Sequence, residues 1–526
     1  MKQFSKRALS CFILMCLMLV ICGVRVFIVA TDEELSAAAV KQATKLKTIS
    51  GLRGTVYDVN GVPITNMLKK WVTVIFPTEK GAIAAGEILS GEQLDSVLKT
   101  LRNGTPAVVD GKMTVQSEGA VTLQVPVRYN GTLQHVIGYI DGSGHGVAGI
   151  EKGFDSVLYS QNGIGLSYTT DSGGRMIEGM GWSIETAENI GSVTLTVDSR
   201  LQAIAERAMT GVEAGAAVIM HAETGEIRAM VSVPAFSAYD VAGSLSAPNS
   251  PFINRALCSY NVGSVFKPII AAAAIESGLS DYRYNCKGSV EIDGKEFRCN
   301  SHAGHGEIDL ETALAKSCNT YFYTLAMKLG ADLVYDMSSR FKFDSTLDLA
   351  GGITVNNGNL PNRDILENSR AALINLSIGQ GDLMITPVTL SLLYSAIING
   401  GEYTLPKIVK SYVQDGKEVI IDSLPPTLAI SSTTADILKE YLKTALKSGT
   451  GSSAYVEGID AGGKTGTAQT GWKDEDRSIL NGWFCGFYEG NSPYVITVLK
   501  EDVKSGSADC APIFKSIIEE MKILQF

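Results

Sequence analysis

Three short runs of reactive and polar residues fall in one order along the chain: Ser264-Val265-Phe266-Lys267, then Ser317-Cys318-Asn319, then Lys464-Thr465-Gly466-Thr467. A serine hydroxyl is a weak nucleophile and needs a base within hydrogen-bond reach. The chain has 5 histidines, none suitably placed, so the base falls to Lys267, one helical turn after Ser264 and on the same face. It must be neutral to serve; burial and a nearby cation, for which Lys464 is the candidate, lower a lysine pKa. Ser264 precedes a long apolar stretch and can sit at a helix N-terminus, where free N–H groups and the helix dipole favour developing negative charge. Pro268 then falls in the first turn, where its missing N–H costs little.

The chemistry these residues suit is acyl transfer through a serine ester. Ser317 would relay a proton between Lys267 and a leaving amine, and Asn319 would hold Lys267 and the substrate backbone. Lys464 with the hydroxyls of Thr465 and Thr467 suits a carboxylate, and Gly466 would let a ligand approach the strand closely. The amides of Ser264 and Thr467 could form an oxyanion hole, whose donors are typically worth roughly 3–4 kcal/mol each. No single run is specific, since Ser339-Arg340-Phe341-Lys342 and Ser259-Tyr260-Asn261 repeat the first two spacings. Lys-Thr-Gly occurs once, and only Ser264 has an apolar helix behind it and both other runs in order downstream.

The elements that must position these groups follow from pattern. Residues 193–197 read as a strand, with Asp198 as N-cap of a helix over 199–209. Residues 216–220 and 227–233 read as a hairpin. Helical patterns cover 264–277, 309–329 and 386–399, with Ser317-Cys318-Asn319 near the middle of the second. Strands return at 481–488 and 494–499, and a helix ends the chain near 511–523. Strands at both ends with helices between predict one antiparallel sheet packed by helices. Upstream, 51–61 reads as strand, turn and strand about Asn60-Gly61, 81–105 as helical and 121–129 as strand. The expected class is α+β: residues 1–30 a short tail and transmembrane anchor, 31–192 an irregular α+β pedestal module, and 193–526 the unit with the three runs, including a helical subdomain.

The 526 residues, 45% hydrophobic and 19% charged, can bury a sizeable core. Net charge is −10 with no long basic stretch after the first residues, which argues against nucleic acid as a partner. Lys2, Lys6 and Arg7 precede an apolar run over residues 8–24, which resumes at 26–30 after Arg25. Its length approaches the roughly 17–25 residues that span a bilayer, and the basic flank favours an inside N-terminus. An uncleaved anchor fits better than a signal peptide, because Ile28-Val29-Ala30 is a poor cleavage site. The rest of the chain would then be extracytoplasmic. Of 9 cysteines, Cys286 and Cys299 bracket a short segment and could equally be a disulfide or two free thiols. Cys299-x-x-His302-x-x-His305, with Cys286 upstream, has zinc-ligand residue types, but its histidine spacing is shorter than usual. A polar loop is the better account, and neither a metal nor a cofactor is expected.

The three runs match the set S-x-x-K, S-x-N and K-T-G of penicillin-binding proteins and β-lactamases. The chain resembles class B penicillin-binding proteins, and the likeness extends over most of the part after the anchor. Arg53-Gly54 with Asp58-Val59-Asn60-Gly61 resembles a signature of the family's pedestal module, and Gly149-Ile150-Glu151 with Phe154-Asp155 a later element. Thr224-Gly225-Glu226-Ile227, Asn254-Arg255-Ala256, Gly379-Gln380-Gly381 with Thr386-Pro387, and Trp483-Phe484-Cys485-Gly486-Phe487 fall where the family has similar segments. Val262 departs from the family's usual proline before Gly-Ser, and Val59 from its signature arginine. The resemblance implies a monofunctional D,D-transpeptidase acting on peptidoglycan stem peptides of lipid-linked nascent glycan, acylated by β-lactams at Ser264. No glycosyltransferase module is visible, which implies a separate membrane glycosyltransferase partner of the SEDS type. A membrane-anchored β-lactamase is a weaker alternative, since the Glu-x-x-Leu-Asn context of class A deacylation is not found near Glu367. A β-lactam sensor or scaffold is another, disfavoured by the few residues before the anchor.

Overall fold

The computed structural model describes residues 2–113, 118–161, 163–188, 190–475 and 477–526. Helix α1 (Lys2–Thr31) contains Lys6–Thr31, 26 residues long, with an 18-residue window of mean hydropathy 2.8 that is nowhere buried; it is long and apolar enough to cross a membrane. The chain divides into two compact units. One gathers residues 1–53, 68–128 and 160–188; the other gathers 54–67, 129–159 and 189–526. The stretch expected as one pedestal module, 31–192, is therefore shared between them.

The smaller unit is α+β. A strand at Leu68–Ile75 lies between antiparallel partners Ala107–Asp110 and Ala120–Val127. The helices Glu79–Ile88 and Gly91–Arg102 enclose a small core of Ile75, Ala85, Leu101 and Ala107. A second sheet pairs Thr44–Ser50 with Ile164–Thr169 and that strand with Trp182–Thr186.

The larger unit is built on a five-stranded antiparallel sheet. Its strands are β1 (Gly215–His221), β2 (Ile227–Val233), β3 (Ala461–Asp474), β4 (Arg477–Glu489) and β5 (Pro493–Lys500), in the order β2-β1-β5-β4-β3. Successive side chains on a strand point to opposite faces, and here both faces are covered. Ala217, Ile219, Phe484, Ile496 and Val498 join one core, against α2 (Ser199–Ala208) and the chain's last helix, Ala511–Ile523. Ala216, Val218, Trp483, Cys485 and Val495 join the other core, under the central helices. That double burial explains why the strands read as near-continuous apolar runs.

Asp198 caps α2 as expected, its side chain accepting the Arg200 N–H at 2.9 Å. The turn at residues 58–61 locks onto the same helix start: Asp58 accepts the Ser199 N–H at 3.1 Å, and the Asn60 amide donates to Asp198 at 3.0 Å. Asp198→Ala should cost about 1–2 kcal/mol of stability through loss of the cap, read from the midpoint of chemical denaturation; an unchanged midpoint would deny the cap its role.

Helix α3 (Lys267–Glu276), preceded by a 3-10 turn at Gly263–Phe266, is apolar on nearly every side and buried from Lys267 to Ala274, as a core helix must be. The single helix expected over 309–329 is two: α4 (Leu310–Ala315) and α5 (Asn319–Ser339). Between them Ser317 takes φ +56 in the left-handed region. Helix α6 (Pro387–Ile398) follows, capped by Thr386 and buried almost throughout, and α7 (Ser432–Ser448) completes the helical layer beside β3.

Candidate active site

The three runs meet where the 3-10 turn, the break between α4 and α5, and the edge strand β3 come together. Ser264 is half-buried on the turn. Lys267, one turn on, is fully buried. Its Nζ donates to the Ser317 carbonyl at 2.8 Å, the Ser317 hydroxyl at 3.1 Å and Asn319 Oδ1 at 2.8 Å, and lies 5.2 Å from the ring centroid of Phe322. The break in the helix makes this cradle possible, because an uninterrupted helix would tie up the Ser317 carbonyl in its own ladder.

Burial pushes the Lys267 ammonium down to about 7, against the opposing pull of Cys318 and Cys299. Lys464 is also fully buried and held well below the ordinary lysine range, first by burial and then by Lys267. The like-charge influence thus falls on Lys464, whereas desolvation is what lowers Lys267. Lys464 Nζ donates to Thr450 Oγ1 and the Thr465 carbonyl, both at 3.1 Å, and Thr465 Oγ1 to Thr450 Oγ1 at 2.9 Å.

Gly466 lies against the chain itself: a Cβ there would stand 2.6 Å from the Val262 carbonyl oxygen and 3.2 Å from Trp483 Cβ. The close approach expected of a ligand is made here by the chain itself, at the entry to the serine turn. Gly263, at φ +65, faces strand β3 in the same way, its notional Cβ 2.6 Å from the Thr467 carbonyl oxygen. Gly263→Ala should therefore push the serine turn off the strand. Misplacement on the order of 1 Å can cost about 100-fold in rate, so acylation by a penicillin should slow by about that factor in stopped-flow; a wild-type rate would show the contact is dispensable.

Every candidate residue from the sequence lies in this one region: Ser264, Lys267, Ser317, Asn319, Lys464, Thr465, Gly466 and Thr467. The repeat at Ser339 does not join it, since Ser339 Oγ donates to the Asp336 carbonyl and Lys342 is exposed. Sequence reasoning passed over Thr450, the hydroxyl that both Lys464 and Thr465 use. It lies in a Ser-Gly-Thr-Gly-Ser loop after α7 whose composition signals a turn and nothing more. Gln380 was noted only within a family-like segment; its Nε2 donates to the Thr467 carbonyl at 3.3 Å and its Oε1 accepts the Gln469 N–H at 3.4 Å. Gly506, whose N–H donates to Thr467 Oγ1 at 3.0 Å, carried no signal.

Residues 215–519 match the family model "Penicillin binding protein transpeptidase domain". The chain belongs to this family, among the class B penicillin-binding proteins. It is 30% identical over 413 residues to stage V sporulation protein D of Bacillus subtilis, covering 74% of this chain and 62% of that protein. It is 24% identical over 563 residues to the peptidoglycan D,D-transpeptidase MrdA of Acinetobacter baumannii, covering 90% and 81%. Among solved structures, penicillin-binding protein 3 of Mycobacterium tuberculosis complexed with ampicillin matches with TM-score 0.66 at 22% identity, over 91% of this chain and 96% of that one. A structure described as a peptidoglycan synthase complex coordinating polymerization and crosslinking matches with TM-score 0.71 at 20% identity, over 97% of each chain. These two structures share the fold of this chain.

Proposed function

We propose that the chain is a serine-type peptidoglycan D,D-transpeptidase that cross-links stem peptides ending in D-Ala-D-Ala. The observation that carries this reading is the buried Lys267, held by Ser317 and Asn319 one turn from Ser264 and beside the edge strand β3. Ser264 Oγ attacks the carbonyl of the penultimate D-Ala, and Lys267 Nζ takes its proton. The new C–O bond replaces the C–N bond, and the proton passes through Ser317 to the departing D-Ala. An amine of a neighbouring stem then attacks the ester, its proton returns along the same route, and Ser264 is freed. An edge strand offers unpaired backbone groups to an extended peptide, so the substrate backbone lies along β3, its carboxylate near Lys464, Thr465 and Thr467. Water competing for the ester would give carboxypeptidase side activity.

A β-lactam mimics the acyl donor and stays as an ester on Ser264, in line with the relative solved with ampicillin. The apolar helix Lys6–Thr31 anchors the chain with its N-terminus inside and the catalytic unit outside. A SEDS-type glycosyltransferase would supply nascent glycan, a reading supported by the likeness to the peptidoglycan synthase complex.

The test is twofold. Peptide mapping after ampicillin treatment should place the adduct on the peptide holding Ser264; an adduct elsewhere sinks the nucleophile assignment. With lipid-linked substrate and a partner polymerase, muropeptide mass spectrometry should show dimers and released D-Ala. Rapid nitrocefin turnover without dimers would make the chain a β-lactamase instead.

A further inference from the structure

Four metal-ligating side chains meet directly behind the Ser317–Asn319 turn. Cys286 ends the short strand Tyr284–Cys286, and His305 precedes that strand's partner, Gly306–Ile308. Cys299 follows the hairpin Ser289–Ile292/Lys295–Arg298, and Cys318 is the N-cap of α5. Their ligand atoms all lie within 4.8 Å of one another, with the three cysteines buried and His305 half-buried. The sequence suggested His302 for such a set and preferred a plain polar loop. The fold leaves His302 exposed and brings Cys318 from 13 residues beyond His305 into its place.

Three of the ligand-to-ligand distances match those of a tetrahedral set. Cys299 Sγ lies 3.7 Å from Cys318 Sγ, and His305 Nδ1 lies 3.6 Å from Cys286 Sγ and 3.5 Å from Cys299 Sγ. A zinc ion with bonds of about 2.3 Å to sulfur and about 2.05 Å to nitrogen sets tetrahedral ligands about 3.8 Å (S to S) and about 3.6 Å (S to N) apart. A disulfide would instead bring two sulfurs to about 2.05 Å; all these cysteines are free thiols.

The surroundings suit thiolates. Thr320 Oγ1 donates to Cys286 Sγ at 3.1 Å and lies 3.4 Å from Cys318 Sγ. Such an outer donor orients and stabilises metal-bound sulfur. Soft thiolate ligands select zinc over magnesium or calcium, and four protein ligands leave no open position, the mark of a structural site.

We infer that Cys286, Cys299, His305 and Cys318 hold a structural zinc ion that pins the Ser317–Asn319 turn. Binding exchanges three thiol protons for one Zn²⁺, giving a Cys₃His site of net charge −1. Cys318 stands between the two residues that bond Lys267, so the ion ties the left-handed Ser317 and Asn319 to the hairpin over residues 289–298. That hairpin has little core of its own: Val290, Ile292 and Phe297 are only partly buried. The metal assignment stands apart from the transpeptidase reading; only the acylation readout below rests on it.

The full chain, purified in detergent with reductant and without chelator, should carry roughly one zinc per chain by elemental mass spectrometry. Cys286→Ser and His305→Ala should each weaken zinc binding by more than the about 10–100-fold that loss of a mere outer partner costs, and His305→Cys, which restores four ligands, should retain it. Cobalt exchanged into the site should show thiolate-to-cobalt charge transfer and tetrahedral ligand-field bands. Stripping the metal should slow acylation of Ser264 while secondary structure persists, and zinc alone should restore the rate. A reduced, folded wild-type chain with less than about a tenth of a zinc per chain overturns the site. So does a Cys299–Cys318 disulfide in the freshly purified protein, or zinc content indifferent to all ligand variants. Should a variant fail to fold, the wild-type metal content and cobalt spectrum decide. Normal zinc with no acylation by any β-lactam would count against the transpeptidase reading and leave the metal site standing.

Discussion

Replacing Ser264 by alanine should reduce labelling by a fluorescent penicillin to background, with the chain still folded. The variant loses one oxygen at a half-buried position, a change that away from cores and networks usually alters stability by less than about 0.5 kcal/mol. Among the described residues no reserve nucleophile stands in the same arrangement: Ser339 Oγ donates to the Asp336 carbonyl, and Lys342 is exposed. Gel fluorescence and intact mass measure the result, and thermal melting checks the fold. Covalent labelling that survives in the folded variant would move the nucleophile elsewhere and dissolve the proposed mechanism.

Lys267→Met should slow acylation by about 100- to 10,000-fold, the range associated with a positioned general base. Methionine keeps much of the buried stem volume and removes the amine. The Ser317 carbonyl, Ser317 hydroxyl and Asn319 Oδ1 then lose their shared donor, and a buried acceptor left unpaired costs about 1–3 kcal/mol. Stability should therefore fall as well, and the rate must be compared below the variant's melting range. The pH profile separates the two effects. The base works as the neutral amine, and Lys267 sits at about 7. In the wild type, acylation should be weak below that pH, rise through it and level off above as the neutral form fills. The rise should vanish in Lys267→Met. A variant that keeps both the wild-type rate and the wild-type profile would exclude Lys267 as the base.

Much of the sheet was legible because its signals are local. The hairpin of β1 and β2, the Asp198 cap and the last helix, Ala511–Ile523, all follow from apolar periodicity and one capping side chain. Ser264, Lys267 and Lys464 were legible because their order and types leave few alternatives. The break at Ser317 was not. Its left-handed backbone leaves a carbonyl for Lys267, 50 residues earlier, to bond, and a serine among good helix formers gives no hint of that. Thr450 was illegible for a similar reason: its hydroxyl matters only because α7 delivers its loop beside β3, a long-range fact with no spacing to betray it. Cys318 reads as a small buried apolar residue until Cys286, Cys299 and His305 are seen around it.

The turn at residues 58–61, which closes over the start of α2, has a consequence for how the molecule is made. The larger unit is stitched from three stretches of chain, and its first stretch leaves the ribosome well over a hundred residues before the helix it locks. Parallel pairing of Val56–Tyr57 with Ser192–Leu195 must likewise wait for the later strand. Such distant closures slow folding, because the chain entropy is lost before the contacts form. A chain begun at residue 193 would therefore lack a built-in clasp: Ser199 would lose its Asp58 acceptor, and the strand at 193–195 would lose its parallel neighbour Val56–Tyr57 and keep Val409–Gln414 alone. The two stretches that interrupt the larger unit, residues 68–128 and 160–188, are no loops: they carry strands and helices with cores of their own.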